Sequence, residues 1–91
     1  MDTKNVEKVI KGFGNHWRIK VILVLHKEPG LSLDQVCGEL EGHPVTLSIH
    51  ISKMTNAGLV KKVYKGRTVQ HYLTPLGNNI YTFLKMFKLK S

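Results

Sequence analysis

The chain has 91 residues, the size of one domain, and its 42% hydrophobic and 22% charged residues are typical of an ordinary globular protein. The longest strongly apolar run, residues 21–25, is far shorter than a membrane span, and the polar N-terminus has no signal-peptide core. We therefore expect no membrane partner and a cytoplasmic location. Cys37 is the only cysteine, which excludes an internal disulfide, and we interpret it as a small buried residue.

The net charge of +8 is distributed unevenly along the chain. All six acidic residues lie in the first 41 positions, where six Lys and Arg residues balance them. From Gly42 to Ser91 there is no Asp or Glu, so the last 50 residues carry the whole excess. A one-sided excess of this kind predicts a polyanionic partner.

The first half of the chain predicts three helices. Apolar residues at helical spacing indicate a helix over about residues 3–12, which Gly12 and Gly14 should end. Asn15 is a good N-cap for a second helix over 15–27, which is apolar on most faces and should be the central core helix. Ser32 and Gln35 form a capping-box pattern before a third helix over 33–41, and Gly42 should close it.

The second half predicts a helix, a hairpin and a last helix. Pro44 suits the first turn of a helix over 44–57, and Gly58 follows as a helix-ending glycine. Residues 59–73 are expected to form a basic hairpin that turns at Lys65 and Gly66, and Thr74 caps a helix over 75–88. Two short helices joined by a glycine-containing turn indicate a helix-turn-helix. The sequence therefore predicts one mainly α domain with a small β-hairpin, a winged helix-turn-helix, over residues 1–91.

The fourth predicted helix has two different sides. Leu47, Ile51 and Met54 share the side that should pack on the second and third helices, with Ala57 at its edge. In a helix-turn-helix, the exposed N-terminal residues of the second helix reach base edges in the major groove. We therefore predict DNA contacts from Pro44, Val45, Thr46, Ser48, Ile49, Ser52 and Lys53. His50 lies between the two sides, where we expect a half-buried, hydrogen-bonded histidine, with a phosphate contact as the alternative.

The hairpin adds further candidate contacts. Lys61, Lys62, Lys65 and Arg67 fall within seven residues around a tight turn. That density of positive charge suits a phosphate backbone, or an arginine inserted in the minor groove. The alternative is a solvated hairpin edge on which lysines prevent strand pairing.

The terminal helices carry more apolar residues than one small domain easily covers, which usually marks an interface. We predict a homodimer interface of Val6, Val9, Ile10, Phe13, Ile80, Phe83, Leu84 and Phe87. Two-fold symmetry would then place two reading helices about 34 Å apart, on successive major grooves. The alternative is a terminal helix that packs back on its own core.

Other functional classes find little support. None of the five histidines has i,i+4 chelate spacing or a zinc-finger cysteine partner, so no metal or other cofactor is expected. The chain has no G-x-S-x-G sequence and no phosphate-binding loop, so we do not expect an enzyme. A protein-interaction module is the main alternative to DNA binding, since Val45 and Ile49 could be buried against another protein. A small-molecule or metal effector remains an open question at this point.

Several segments together resemble a known family. They are Thr-Leu-Ser-Ile-His-Ile at 46–51, Asn-Ala-Gly-Leu-Val at 56–60, the basic hairpin, and Tyr-Leu-Thr-Pro-Leu-Gly at 72–77. In this order they are similar to the winged helix-turn-helix of small bacterial and archaeal transcriptional regulators of the arsenic-repressor (ArsR) and multiple-antibiotic-resistance-repressor (MarR) types. Residues 13–19 also resemble the start of that family's second helix, which carries an arginine.

The resemblance implies a DNA-binding transcriptional regulator, expected to repress by occluding a promoter. Carried over by position, the contacts of the recognition helix fall on Pro44, Val45, Ser48 and Ile49, and those of the wing fall on Lys65 and Arg67. The family commonly has polar residues where this chain has Val45 and Ile49. Metal sensors of the ArsR type often carry a Cys-x-Cys pair that corresponds to Ser32, Leu33 and Asp34 here, so that metal site is absent.

Overall fold

The protein is described by a computed structural model that covers residues 1–89. These residues form five helices and one antiparallel hairpin, in the order α1 (Thr3–Phe13), α2 (His16–Lys27), α3 (Leu33–Leu40), α4 (Pro44–Asn56), β1 (Val60–Lys65), β2 (Thr68–Leu73) and α5 (Pro75–Lys85). The predicted mainly α architecture with a small β-hairpin is therefore confirmed. Among the described residues, no helix has the length and apolar character needed to cross a membrane.

The core is arranged around α2, as its apolar sequence predicts. Val21, Ile22 and Leu25 are almost completely buried. All four other helices and β2 pack against α2. The buried side of α4, with Leu47 and Ile51, completes the centre of this core. Burial of this apolar surface is the main stabilising contribution in a domain this small.

The predicted helix starts are confirmed in atomic detail. The side chain of Asn15 accepts a hydrogen bond from the backbone N–H of Trp17 at 2.9 Å. The backbone N–H of Gln35 donates to Oγ of Ser32, and the backbone N–H of Ser32 donates to Oε1 of Gln35. Each bond satisfies a backbone donor that would otherwise have no partner within its helix.

Two glycines have other roles than the ones predicted. Gly12 does not end α1, which continues to Phe13; a Cβ at Gly12 would lie only 2.6 Å from Cβ of Ala57, so this glycine lets α1 approach α4 closely. Gly42 does not supply the left-handed end of α3. The residue in the left-handed conformation at the end of α3 is Glu41, with φ of 53°. Gly42 instead makes room for the side chain of Leu47. In the sequence, a glycine that allows two segments to approach closely looks the same as a glycine that ends a helix, which is why both predictions were wrong.

The last helix is shorter than predicted. It ends at Lys85 rather than at residue 88. The backbone N–H groups of Met86, Phe87 and Lys88 donate to carbonyls three residues back, which tightens the chain into turns at this end. Residues 90 and 91 of the predicted domain lie outside the described residues.

The hairpin turns one residue later than predicted. Lys65 pairs with Thr68, so the two-residue loop consists of Gly66 and Arg67. Gly66 has φ of 62°, as the first central residue of a type II′ hairpin turn requires. At the other end of the hairpin, His71 forms an isolated β-bridge with Leu31, and its ring Nδ1 bonds to the carbonyl of Leu31 at 2.9 Å. This contact fastens the hairpin to the segment between α2 and α3.

Candidate nucleic-acid interface

The fourth helix has the two sides that the sequence predicts. Leu47, Ile51 and Met54 are at most 1% exposed, whereas Val45 is 62% exposed and Ile49 is 53% exposed. The seven predicted contact residues of this helix are all exposed: Pro44, Val45, Thr46, Ser48, Ile49, Ser52 and Lys53. The structure therefore leaves one whole side of α4 available to a partner.

Arg18 holds α4 in place through His50. Its Nε donates a hydrogen bond to Nδ1 of His50 at 2.9 Å, and its Nη1 donates to the carbonyl of Lys11 at 2.6 Å. One guanidinium thus links the last turn of α1 and the first turn of α2 to the middle of α4. This role was not predicted from the sequence, because the two side chains belong to residues 32 positions apart.

His50 is half-buried and hydrogen-bonded, as expected from its place on the helix. Burial lowers the pKa of His50, and the positive charges of Arg18 and Lys53 and the nearby His16 lower it further. Its Nδ1 accepts a hydrogen bond, which a protonated ring cannot do. The ring therefore suits the role of a neutral spacer between α2 and α4 better than that of a phosphate-binding cation.

The four cations of the hairpin do not share one surface. Lys61 pairs with Tyr72 and Lys65 pairs with Thr68, whereas Lys62 pairs with His71. Because side chains alternate along a strand, Lys61 and Lys65 point to one face of the hairpin and Lys62 points to the other. Arg67 lies in the turn itself. All four cations are exposed, and Lys65 and Arg67 lie at the tip of the hairpin.

The helix and the hairpin form one continuous unit. Gly58, with φ of 80°, ends α4 and turns the chain directly into Leu59 and Val60, which are both buried. The backbone N–H of Thr74, at the far end of β2, donates to the carbonyl of Leu59 at 3.0 Å. The wing is therefore fixed at its base relative to the exposed side of α4.

Electrostatics favour an anion at this unit. Residues 42–89 contain no carboxylate side chain. The one salt bridge within residues 1–89 joins Lys11 to Glu7 on α1, at 3.8 Å. The cations of α4 and the wing therefore have no carboxylate partner in the described part of the chain, and their charge is available to an external polyanion.

The predicted dimer residues divide into two groups. Val9 is only 9% exposed and Leu84 only 4%, because both lie in the core of their own chain, and Phe13 and Ile80 are partly buried against that core. We therefore correct the prediction for Val9 and Leu84, which have little surface left for a partner. Exposed apolar surface is contributed by Val6, Ile10, Phe83 and Phe87.

The structure shows how the possible metal ligands are distributed and where the one cysteine lies. Within residues 1–89, no three His, Cys, Asp or Glu side chains come together in a way that could hold a metal ion. Cys37 is buried, as predicted. Burial, followed by the charge of Asp34, raises the pKa of its thiol, which disfavours the reactive thiolate.

Solved structures with the same arrangement of elements are known. HlyU from Vibrio cholerae is 21% identical, with a TM-score of 0.82 over 96% of this chain and 97% of that one. The homodimeric winged helix-turn-helix DNA-binding domain of Mb0332 from Mycobacterium bovis is 14% identical, with a TM-score of 0.83 over 93% and 79%. The transcriptional repressor PagR of Bacillus anthracis is 22% identical, with a TM-score of 0.81 over 89% and 93%.

The chain has the winged helix-turn-helix fold. Transcriptional regulators of the ArsR and MarR families share this fold too, so the resemblance seen in the sequence is confirmed at the level of structure. In winged helix terms, α3 and α4 form the helix-turn-helix, α4 occupies the place of the recognition helix, and β1 and β2 form the wing. No family model matches the chain.

A comparison of sequences finds a relative of a different kind, a subunit of a protein complex. The chain is 29% identical over 66 residues to EKC/KEOPS complex subunit TPRKB from Danio rerio, a match that covers 69% of this chain and 37% of that protein. The chain thus spans little more than a third of the length of this relative. The solved structures described above match 89–96% of the chain and show its fold.

Proposed function

We propose that this protein is a transcriptional regulator that binds double-stranded DNA as a homodimer through residues 1–91, a single domain. The observation that carries the proposal is the exposed side of α4 beside a basic wing, in a half of the chain that has no acidic residue. The proposal is supported by two proteins of the same fold, Mb0332, a homodimeric DNA-binding domain, and PagR, a transcriptional repressor. We further propose a cytoplasmic protein that represses by occluding a promoter.

The recognition helix enters the major groove in this proposal. Its N-terminal half presents the exposed side chains of Val45, Ser48 and Ile49 to base edges. Lys53 lies farther along the helix and contacts a phosphate, which fixes the orientation of the helix without reading sequence. Lys65 and Arg67, at the wing tip, hold the adjacent backbone or reach into the minor groove.

The homodimer would form through α1 and α5. Val6 and Ile10 of α1, and Phe83 and Phe87 at the end of the chain, are exposed apolar residues. The rings of Phe13 and Phe83 are 6.4 Å apart in an edge-on arrangement, which brings the end of α1 next to α5. Covering this apolar surface with a second copy would remove it from water and place two reading helices on one side of the dimer.

The wing provides the direct test. Replacing Lys65 and Arg67 by alanine should weaken binding to duplexes of every sequence, and should flatten the dependence of log affinity on log salt by about one for each phosphate that is no longer neutralised. A matched control replaces Lys20 and Lys27, which line a groove beside Glu39 and Glu41 on another surface of the molecule. Fluorescence anisotropy with a labelled duplex measures both variants. Unchanged binding by the wing variant would refute the proposed role of the wing.

A protein-interaction module is the second candidate. The exposed Val45 and Ile49 favour it, because apolar side chains on adjacent turns of a helix also suit a hydrophobic groove of another protein. A protein complex that involves α4 and that does not weaken with salt would support this alternative over DNA binding.

A further inference from the structure

The exposed side of the recognition helix has an unusual chemistry for a surface that reads bases. Val45 and Ile49 are one helical turn apart, and both are more than half exposed. Residues 44–52 include no Arg, Lys, Asn or Gln. These are the side chains that make bidentate hydrogen bonds to guanine and adenine in the major groove. His50, the one ring nitrogen base on this stretch, is already engaged by Arg18.

The surroundings of the two apolar side chains indicate what covers them. A single exposed valine or isoleucine needs no explanation, but this pair lies on the side of α4 that also carries Lys53. No acidic residue occurs in this half of the chain. An apolar pair beside a lysine, in a half of the chain without carboxylates, fits a partner that is polyanionic at its edges and apolar at its centre.

The major groove of DNA has one apolar group of this kind, the C5-methyl group of thymine. Val45 and Ile49 are separated by four residues, or about 6 Å along the helix axis. This distance corresponds to about two base-pair steps of roughly 3.4 Å each for a helix that lies along the groove. The spacing of the pair thus matches two methyl groups that lie near each other in one half-site.

We propose that Val45 and Ile49 read the C5-methyl groups of thymines, and that the preferred half-site carries thymine at two positions about two base-pair steps apart. This inference depends on the proposed DNA binding and specifies its sequence class. Ser48 and Ser52 add hydrogen bonds that tolerate several bases, since a hydroxyl can donate or accept. Thymine contacts therefore supply the discrimination that the missing arginine, asparagine and glutamine side chains cannot.

The test uses uracil, which pairs as thymine does but lacks the methyl group. The preferred duplex is first selected from a random pool with the unaltered protein, and each thymine is then replaced in turn by uracil. Removal of each contacted methyl group should weaken binding about fourfold, and removal of both about fifteenfold.

A variant with Val45→Ala and Ile49→Ala should bind the thymine and uracil duplexes equally. Alanine is favourable at exposed helix positions, so the fold should persist. Val63→Ala, at an exposed apolar residue of the wing, is the matched control and should keep the full preference for thymine.

The results separate this inference from the proposed function. Weaker binding on uracil substitution, absent in the double variant and present in the Val63 variant, supports it. Equal binding of both duplexes by the unaltered protein, with affinity that still falls steeply with salt, overturns the inference but leaves DNA binding in place. No binding to any duplex at low salt refutes the proposed function itself, and the inference fails with it.

Discussion

The Nε atom of Arg18 lies 2.9 Å from Nδ1 of His50, although the two residues are 32 positions apart in the sequence. The hydrogen bond between them requires a neutral acceptor nitrogen on the imidazole ring. Protonation of His50 would remove that acceptor and place a positive charge beside Arg18 and Lys53. The position of α4 on α2 is therefore linked to the protonation state of one histidine.

The first prediction concerns the stability of the protein in mild acid. The folded state lowers the pKa of His50 below its ordinary value of 6.5, whereas the unfolded chain retains that value. The unfolded state therefore takes up a proton first as the pH falls. The contribution of His50 to stability is complete above pH 6.5 and is lost as the pH decreases from there toward the folded pKa.

Urea unfolding at about pH 7.5 and about pH 5.5 measures this decrease in the free energy of unfolding. A single histidine can lower that free energy by at most about 1.4 kcal/mol per pH unit. His50→Gln is the control, because a glutamine can still accept from Arg18 and does not titrate. The variant should lose less stability between the two pH values than the unaltered protein. An identical decrease in both would show that other histidines are responsible.

The second prediction tests the cause of the shift. Arg18→Met removes one of the positive charges that lower the pKa of His50, but burial, the largest cause, remains. The pKa of His50 should therefore rise part of the way toward its ordinary value. An NMR titration of the ring protons follows it directly. A pKa that stays the same or falls would show that the guanidinium does not lower the pKa of the ring.

The third prediction compares two glycines inside helices. Gly12→Ala would place a methyl group 2.6 Å from Cβ of Ala57, so α1 must move away from α4 at a cost of about 1–3 kcal/mol. Gly38 lies in α3, and an added Cβ there would meet no other segment of the chain within 4 Å. Gly38→Ala should therefore stabilise the protein by about 0.5–1 kcal/mol.

Urea unfolding of the two glycine variants measures both changes in the free energy of unfolding, which should have opposite signs. Equal effects would mean that the close contact between α1 and α4 does not decide the response. A stabilised Gly12→Ala variant would contradict the packing of these two helices.

The sequence predicted the fold well because its local signals agree with one another. The capping pair of Ser32 and Gln35, the proline at the start of α4 and the positive-φ position at Gly58 each indicate a boundary by short-range chemistry. The two sides of α4 follow from helical periodicity alone. These features depend on residues within a few positions of each other, so a single amino-acid sequence is enough to identify them.

The remaining features depend on contacts between distant segments. Nothing near Gly12 indicates that Ala57 will face it, and nothing near Arg18 indicates that its guanidinium will reach His50. The separation of Lys61 from Lys62 follows from strand alternation once β1 is recognised, but their closeness in the sequence does not show it. The exposed residues of the candidate site could thus be predicted from the sequence. The contacts that hold α4 in place from within the molecule could not.

The fourth prediction concerns the oligomeric state. Phe83→Ser together with Phe87→Ser should convert the proposed dimer into a monomer, because the rings are 44% and 60% exposed in the single chain and this apolar surface is what a second copy would cover. Sedimentation velocity measures the mass directly. Val63→Ser, at an exposed apolar residue of the wing, is the control and should leave the dimer intact. A double variant that remains dimeric would place the interface elsewhere.

The most direct test of the central claim is the affinity of the purified protein for duplex DNA of random sequence over a series of salt concentrations. If the basic half of the chain faces DNA, the log of the affinity should fall with the log of the salt concentration at a slope of about −5, as expected when a dimer neutralises about six phosphates. Binding that is absent at low salt, or that does not change with salt, would contradict a DNA-binding function.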